Sequence, residues 1–326
     1  MTDRTQLTLA FVSSAYNEAE NLEELYSRCR TVHAELQQEF ADRVQLGFRF
    51  VVANNGSTDA SLAVLEELAS RDATVMALAN RSNYGAEVSG VNALKQALDC
   101  DLIVGLCSDL QDPPELVLSM GRSLLEQPDL DAVLAVKKRS AGGALLRLAR
   151  RAYYMVLSYS SRQGGVPSGF HGFGCYRSSV IGEAIRQWDR ADLSFRQCLI
   201  NACQSPILIH YVQAKRLRGI SSYRGWGYWP EGLRHVISGD AAASRLALLI
   251  GSIGLLLALA VGLLLAVNFI SGNSGYSRGV PTVMGLVLTS FALQMLMFSV
   301  LSRQIESLRM GGFRTKVRFR RLGDEK

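Results

Sequence analysis

The 326-residue chain is short of the residues that would announce several large classes of protein. It has four histidines and six cysteines (Cys29, Cys100, Cys107, Cys175, Cys198 and Cys203). No two of these cysteines form a CxxC pair and no histidine stands at zinc-finger spacing, which excludes a zinc module of that kind. No long segment is both poor in apolar residues and rich in charge, so disorder is excluded. Internal repeats and low-complexity tracts are absent. No Walker-type glycine loop or GxGxxG follows the first predicted strand, which argues against a P-loop or dinucleotide fold. Net charge is scarce too, once it is located. The chain is +6, but residues 303–326 hold eight basic and three acidic side chains, leaving +1 for the 302 residues before them. A nucleic-acid binder is disfavoured, because the folded part lacks a basic field.

What the chain does have is two long uncharged runs near its end. Leu246 to Ile270 is 25 residues without charge, and Val280 to Ser302 is 23 more. As a helix the first would be about 38 Å long at about 1.5 Å per residue, enough to cross a hydrocarbon core with some tilt. A buried core helix is the alternative, but two such runs in succession, edged by Arg245 and Arg303, are rare in soluble proteins. The link Ser271–Gly279 is too short for a domain, so a two-helix transmembrane hairpin is expected over 246–270 and 280–302. The link holds one Arg and the following tail many, so the positive-inside rule puts both chain ends in the cytoplasm, at the plasma (inner) membrane if the cell is bacterial. The basic tail, 303–326, is then expected on anionic headgroups. The stretch Leu7–Ala15 is short and leads into the polar Tyr16-Asn17-Glu18, so no secretory signal is read there, and the cysteines are expected to be reduced thiols.

Residues 7–136 alternate between β-branched runs and amphipathic helical patterns. Strands are predicted at Leu7–Ser13, Phe48–Ala53, Thr74–Ala79, Leu102–Leu106 and Ala132–Val136. The helices between them begin with one whose Leu22, Leu25, Cys29, Val32, Leu36 and Phe40 share a face. Further helices are predicted at Ser61–Ser70, Glu87–Leu98 and Pro113–Glu126. This alternation implies an α/β fold, a mostly parallel sheet flanked by helices, with ligands at the carboxyl ends of the strands. Residues 143–162 read as a basic, Tyr-rich amphipathic helix lying in the membrane interface, or else as an ordinary surface helix. Trp226, Tyr228 and Trp229 in the segment 223–244 suit an interfacial belt.

Four strand-end loops stand out: Ser14-Ala15-Tyr16-Asn17-Glu18; Asn54-Asn55-Gly56-Ser57-Thr58-Asp59; Cys107-Ser108-Asp109-Leu110-Gln111-Asp112-Pro113-Pro114-Glu115; and Lys137-Lys138-Arg139. Singly, each has a bland account as a turn, a helix cap or a helix entry. Together, at one sheet edge, they gather amides, acids and three cations. That set suits an anionic nucleotide: polar groups read base and ribose, an acid holds a divalent cation, and Lys and Arg balance diphosphate charge.

Tyr16-Asn17-Glu18, the NGSTD run, Ser82-Asn83-Tyr84-Gly85 and SDLQDPPE resemble the family 2 glycosyltransferases, on the branch that acts on polyprenyl phosphates. The resemblance covers nearly the whole chain. It implies a GT-A nucleotide-sugar-binding domain over 1–222, followed by interfacial segments and a membrane hairpin. It also implies transfer of a sugar, with inversion, from a nucleotide-sugar to a lipid-linked acceptor. Carried over by position, Ala15, Tyr16, Glu18, Asn54, Asn55 and Ser108 would line the donor pocket. Asp109 and Gln111 would hold Mg²⁺ or Mn²⁺, with Asp112 in the same catalytic loop. Lys137 and Arg139 would meet phosphates, and Arg216, Arg218, Ser221 and Tyr223 would close over the site.

The chain departs from that pattern in four places. Asn54-Asn55 stands where Asp-Asp is common, and Cys107 where the first acid of Asp-x-Asp is common. Cys prefers softer metals than Mg²⁺, so weak or absent metal dependence is expected. Gly169-Phe170-His171-Gly172-Phe173-Gly174 replaces a run with an acid, which makes His171 a candidate acceptor-side base or a structural histidine in a Gly/Phe loop. Ser222 stands where Lys is frequent. These changes keep two other readings open: transfer to a sugar hydroxyl in cell-surface polysaccharide or lipopolysaccharide assembly, and a non-catalytic nucleotide-sugar-binding or scaffold protein. Whether the chain forms a homo-oligomer is not legible.

Overall fold

The computed structural model describes residues 4–138, 167, 169–190, 194–214, 242–271, 280–309 and 319–321. The expected helix 143–162, most of the interfacial segment 223–244, and Arg139, Arg216, Arg218, Ser221, Ser222 and Tyr223 lie outside the described residues.

Within them, an eight-stranded sheet forms from β1 (Thr5–Ala15), β2 (Val44–Asn54), β3 (Val75–Asn80), β4 (Leu102–Gly105), β5 (Ala132–Lys137), β6 (Phe170–Arg177), β7 (Pro206–Tyr211) and β8 (Phe319–Arg321). Its spatial order is β7-β5-β6-β4-β1-β2-β3-β8. Strands β3, β2, β1 and β4 are mutually parallel, and β5 and β7 run the same way; only β6 and β8 are antiparallel to their neighbours. The carboxyl ends of six strands and the amino end of β6 therefore share one edge.

Helices α1 (Ala19–Glu39), α2 (Ser61–Arg71), α3 (Ala86–Lys95), α4 (Leu116–Glu126), α5 (Ser178–Arg190) and α6 (Phe195–Ala202) accompany the sheet. Alternation along the strands produces two cores. Leu9 and Phe11 of β1 belong to a cluster with Leu22, Leu25, Cys29, Val32 and Leu36 of α1, Leu65 of α2 and Met120 of α4. Ala10 and Val12 belong to the other, with Val91 of α3, Ile181 and Trp188 of α5 and Phe195 of α6. A period of two in the strand thus feeds both faces, and the six residues predicted to share a face of the first helix are all buried.

Two expectations change. The Gly/Phe run 169–174 is not a loop: from Phe170 it is β6, inserted antiparallel between β4 and β5. Nor is the basic tail wholly available to headgroups, because Phe319–Arg321 pairs with Asn80–Leu78 of β3. For β8 the reason is that the β3 edge has open backbone donors and acceptors that take up a further strand.

After the sheet come α7 (Ala242–Ile270) and α8 (Val280–Arg309), packed on one another. Two glycines of α7 let α8 come close: a Cβ on Gly251 would lie 3.1 Å from the Leu296 side chain and 3.2 Å from the Ala292 carbonyl oxygen, and one on Gly254 3.3 Å from Ala292 Cβ. Large apolar side chains point outward along both helices, among them Leu256, Leu263, Leu286 and Met297. Of the two expected spans, the described residues supply one that is long and apolar enough to cross a membrane, Val283–Ser302, with 11% of its most apolar window buried. In α7 the apolar stretch is the shorter Leu249–Leu264.

Candidate active site

The shared edge carries two differently built clusters. On the β1–β2–β3 side, the loop after β2 is used to hold the entry of α1. The N–H groups of Asn17, Glu18 and Ala19 donate to Ser57 Oγ (3.0 Å), Ser61 Oγ (2.9 Å) and Asp59 Oδ2 (3.1 Å). These are the donors that a helix start leaves without intrahelical partners. Asn17, at φ +57, returns the favour by accepting from the N–H of Thr58 at 2.8 Å. Asp59 also accepts from the N–H of Ser61, at 3.0 Å. Burial opposes ionisation of Asp59, but these hydrogen bonds outweigh it and hold the carboxyl below its usual range.

The predicted donor residues fall on this side. Ala15 ends β1 and is buried; Tyr16 is partly exposed; Glu18 is buried and accepts from Asn21 Nδ2 at 2.6 Å. Asn54 Oδ1 accepts from the N–H of Ser57 at 3.3 Å. The Asn55 side chain braces the loop 80–84. Its Oδ1 accepts from the N–H of Tyr84 (2.9 Å) and from Asn80 Nδ2 (3.5 Å), and its Nδ2 donates to Asn83 Oδ1 (3.0 Å). Gly56 fits because a Cβ there would come within 2.7 Å of the Ser82 carbonyl carbon, at a φ of +68°. Ser108 ties the two clusters together, its hydroxyl donating to the Ser14 carbonyl at 2.9 Å.

On the β4–β5–β6–β7 side, side chains bond to one another. Asp112 is fully buried; its Oδ2 is 2.7 Å from His171 Nε2 and its Oδ1 accepts from the Tyr211 hydroxyl at 2.5 Å. Burial would raise the Asp112 pKa, but the bonds from His171 and Tyr211 and the Lys137 charge hold it below the ordinary carboxylate range. Tyr211 is pushed upward by burial and by Asp112, so it stays a hydrogen-bond donor. Cys107 is reached by solvent, yet the desolvation of its thiol, followed by the charges of Asp112 and Asp109, pushes it well above the usual thiol range. The acids set that direction however deeply the thiol is sunk.

The backbone is shaped to make this meeting possible. Leu110 sits at φ +58 and Asp109 Oδ1 accepts from the N–H of Gln111 at 3.2 Å, a tight reversal between the two predicted metal-holding residues. Gln111 is fixed from the far strand, its carbonyl accepting from Ala214 N at 3.2 Å. Gly169, at φ +98, lies so close to β5 that a Cβ would stand 2.7 Å from the Lys137 carbonyl oxygen. Lys137 therefore ends β5 directly beside β6, and its ammonium acts on both Asp112 and Cys107. Asp109 acts on Cys107 and Tyr211, so its charge and that of Lys137 are both felt at the Cys107 thiol. Tyr211 was not foreseen, although the apolar run Pro206–Tyr211 after Ser205 is a strand signal.

For a hard divalent ion the protein oxygens on offer are those of Asp109 and Gln111. Each Asp112 oxygen has one polar partner, which leaves it a lone pair, while Cys107 brings sulfur in place of oxygen. Mg²⁺ or Mn²⁺ prefers oxygen ligands, so these two residues could hold such an ion only if donor phosphates and water completed its shell.

A family model described as Glycosyl transferase family 2 matches residues 11–184, just over half of the chain. A prophage bactoprenol glucosyl transferase homolog of Escherichia coli (strain K12) is 27% identical over 305 residues, covering 92% of this chain and 94% of the relative. An undecaprenyl-phosphate 4-deoxy-4-formamido-L-arabinose transferase of Proteus mirabilis (strain HI4320) is 28% identical over 219 residues, 66% of this chain and 62% of the relative. Among solved structures, a mannosyltransferase from Pyrobaculum calidifontis in complex with GDP-Man and Mn²⁺ aligns with 96% of this chain and 77% of its own, at 15% identity and a TM-score of 0.42.

Proposed function

Because the chain belongs to glycosyl transferase family 2, we propose that it is a membrane-anchored, inverting enzyme of GT-A type that moves a sugar from a nucleotide-sugar to a polyprenyl phosphate or other lipid-linked acceptor. The observation that carries this reading is that the ends of β1, β2, β4 and β5, with Ala15, Asn54, Lys137 and the loop holding Asp109, share one sheet edge with the Asp112 cluster. Relatives named for bactoprenol and undecaprenyl phosphate support the acceptor class.

In this reading the β1–β2 loops take the nucleoside, and the diphosphate lies toward Asp109 and Lys137. A divalent cation at Asp109 and Gln111, when bound, neutralises the leaving nucleoside diphosphate. Lys137 supplies a fixed positive charge for phosphate oxygens, pre-aimed by the pairing of β5 with β6 and β7. An acceptor phosphate is already anionic, so its oxygen attacks with little help from a base. The packed pair α7–α8, with apolar side chains facing outward, anchors the enzyme where such an acceptor resides. This includes α7 as the second span.

A second reading, transfer to a sugar hydroxyl, is favoured by one observation: His171 is held by the buried Asp112, as an oriented general base would be. Incubating membranes that contain the protein with labelled nucleotide-sugars separates the two. Label in the lipid fraction that mild acid releases supports the phosphate acceptor. Acid-stable label means a glycosidic bond to a hydroxyl and overturns the first reading.

A further inference from the structure

We propose that Cys107, Asp112 and His171 form a binding site for a borderline-soft divalent transition ion of the Zn²⁺ class. One ligand atom from each lies within 4.8 Å of the other two. In a tetrahedral zinc site with bonds of about 2.0–2.3 Å, ligand atoms stand roughly 3.3–3.7 Å apart, so closing the set needs only side-chain adjustment. The three come from separate anchored places: the end of β4, the loop entering α4 just before Pro113-Pro114, and the second residue of β6.

The donor types choose the ion. Thiolate, imidazole and carboxylate together suit Zn²⁺ or Co²⁺, whereas Mg²⁺ wants oxygens alone. Two further features point to a ligand. His171 spends Nε2 on Asp112 and leaves Nδ1 a buried nitrogen without a hydrogen-bond partner in this structure, a costly state that leaves the ring's present pairing incomplete. Tyr211 already holds the Asp112 oxygen that faces away from His171, as an outer partner orients a ligating carboxylate. With thiolate, the Asp112 and Asp109 carboxylates, neutral imidazole and the Lys137 ammonium around it, a divalent ion would leave the cluster without net charge. Three protein ligands leave a fourth position open, beside Asp109. That is the form of a site that binds an anion such as a diphosphate, not a closed structural one.

The inference rests on these side chains and on neither the sugar nor the acceptor, so its failure would leave the glycosyltransferase reading standing. Its test is Co²⁺ titration of the purified full-length protein in detergent, followed by absorption spectroscopy. The expected result is a near-ultraviolet thiolate-to-cobalt charge-transfer band with visible bands of tetrahedral type, both bleached by equimolar Zn²⁺ and not by excess Mg²⁺. Cys107→Ser should lose the charge-transfer band while Cys203→Ser keeps it. Cys107→Asp, which offers oxygen instead, should bind Mn²⁺ more tightly than the wild type. No charge-transfer band at saturating Co²⁺, or a band that survives Cys107→Ser, overturns the proposal, and so does displacement by Mg²⁺ as readily as by Zn²⁺.

Discussion

The two halves of the sheet edge are made of similar residues put to opposite uses. Beside β1, β2 and β3, polar side chains serve mainly the backbone: Ser57, Asp59 and Ser61 hold the start of α1, and Asn55 holds the loop at Tyr84. Beside β4, β5, β6 and β7, polar side chains serve one another, with Asp112 gripped by His171 and Tyr211 and flanked by Cys107 and Lys137. A carboxylate that caps a helix has its function complete in the fold. A carboxylate buried among a thiol, an imidazole, a phenol and an ammonium costs desolvation to keep. In the proposed reading the first half is a cradle and the second holds the reactive groups.

The comparison can be broken by substitution. The largest effect is expected at Asp112. Replacing it with Ala strips His171 and Tyr211 of a shared buried partner, and chemical denaturation should show a loss of about 3–5 kcal/mol. A loss below about 1 kcal/mol would mean that the cluster is not the tightly coupled unit described. Next comes Asp109→Ala, expected to leave the melting temperature near the wild-type value while lowering kcat for sugar transfer about a hundredfold or more, of order 3 kcal/mol. Gly169→Ala puts a side chain at φ +98 against the Lys137 carbonyl. It should cost about 1–3 kcal/mol of stability and, by shifting Lys137, raise the KM for the nucleotide-sugar.

The smallest effect belongs to the cradle. Asp59→Asn should cost about 1 kcal/mol near neutral pH, with activity per folded molecule nearly unchanged. The sign of its pH dependence follows from the depressed pKa. The Asp59 carboxyl is lower in the folded than in the unfolded chain, so its extra stability is present above the unfolded value of 3.8 and is lost as pH falls through the folded one. Thermal melts of wild type and Asp59→Asn should therefore differ at pH 6 and draw together progressively as pH falls below 3.8.

The cradle half was the more legible in sequence. Strands β1 to β3 and the buried face of α1 stand within a few residues of expectation, because period-two and period-3.6 patterns are local and strong there. The reactive half was read only in part. SDLQDPPE marked Asp109, Gln111 and Asp112, but β6 was hidden by Gly172 and Gly174, which erase the alternation of a strand, and with it the pairing of His171 with Asp112. Tyr211 lies 99 residues from the carboxylate it meets, a contact that no local pattern encodes. The bonds of Asn55 to Asn80, Asn83 and Tyr84, at the end of β3 and in the loop after it, carry no local signature in the sequence. Asp59 was legible as a cap, yet α1, some 40 residues earlier, is a second helix it holds.

The most direct test of the division between cradle and reactive groups is donor binding read as thermal stabilisation. Nucleotide-sugars should be screened with divalent cation against the wild type, Asp109→Ala and Asp59→Asn. A donor at a hundred times its Kd stabilises by about 2.7 kcal/mol. The account predicts such a rise in the wild type, an equal rise from a lower starting temperature in Asp59→Asn, and little or none in Asp109→Ala. A rise that survives in Asp109→Ala and vanishes in Asp59→Asn would contradict it.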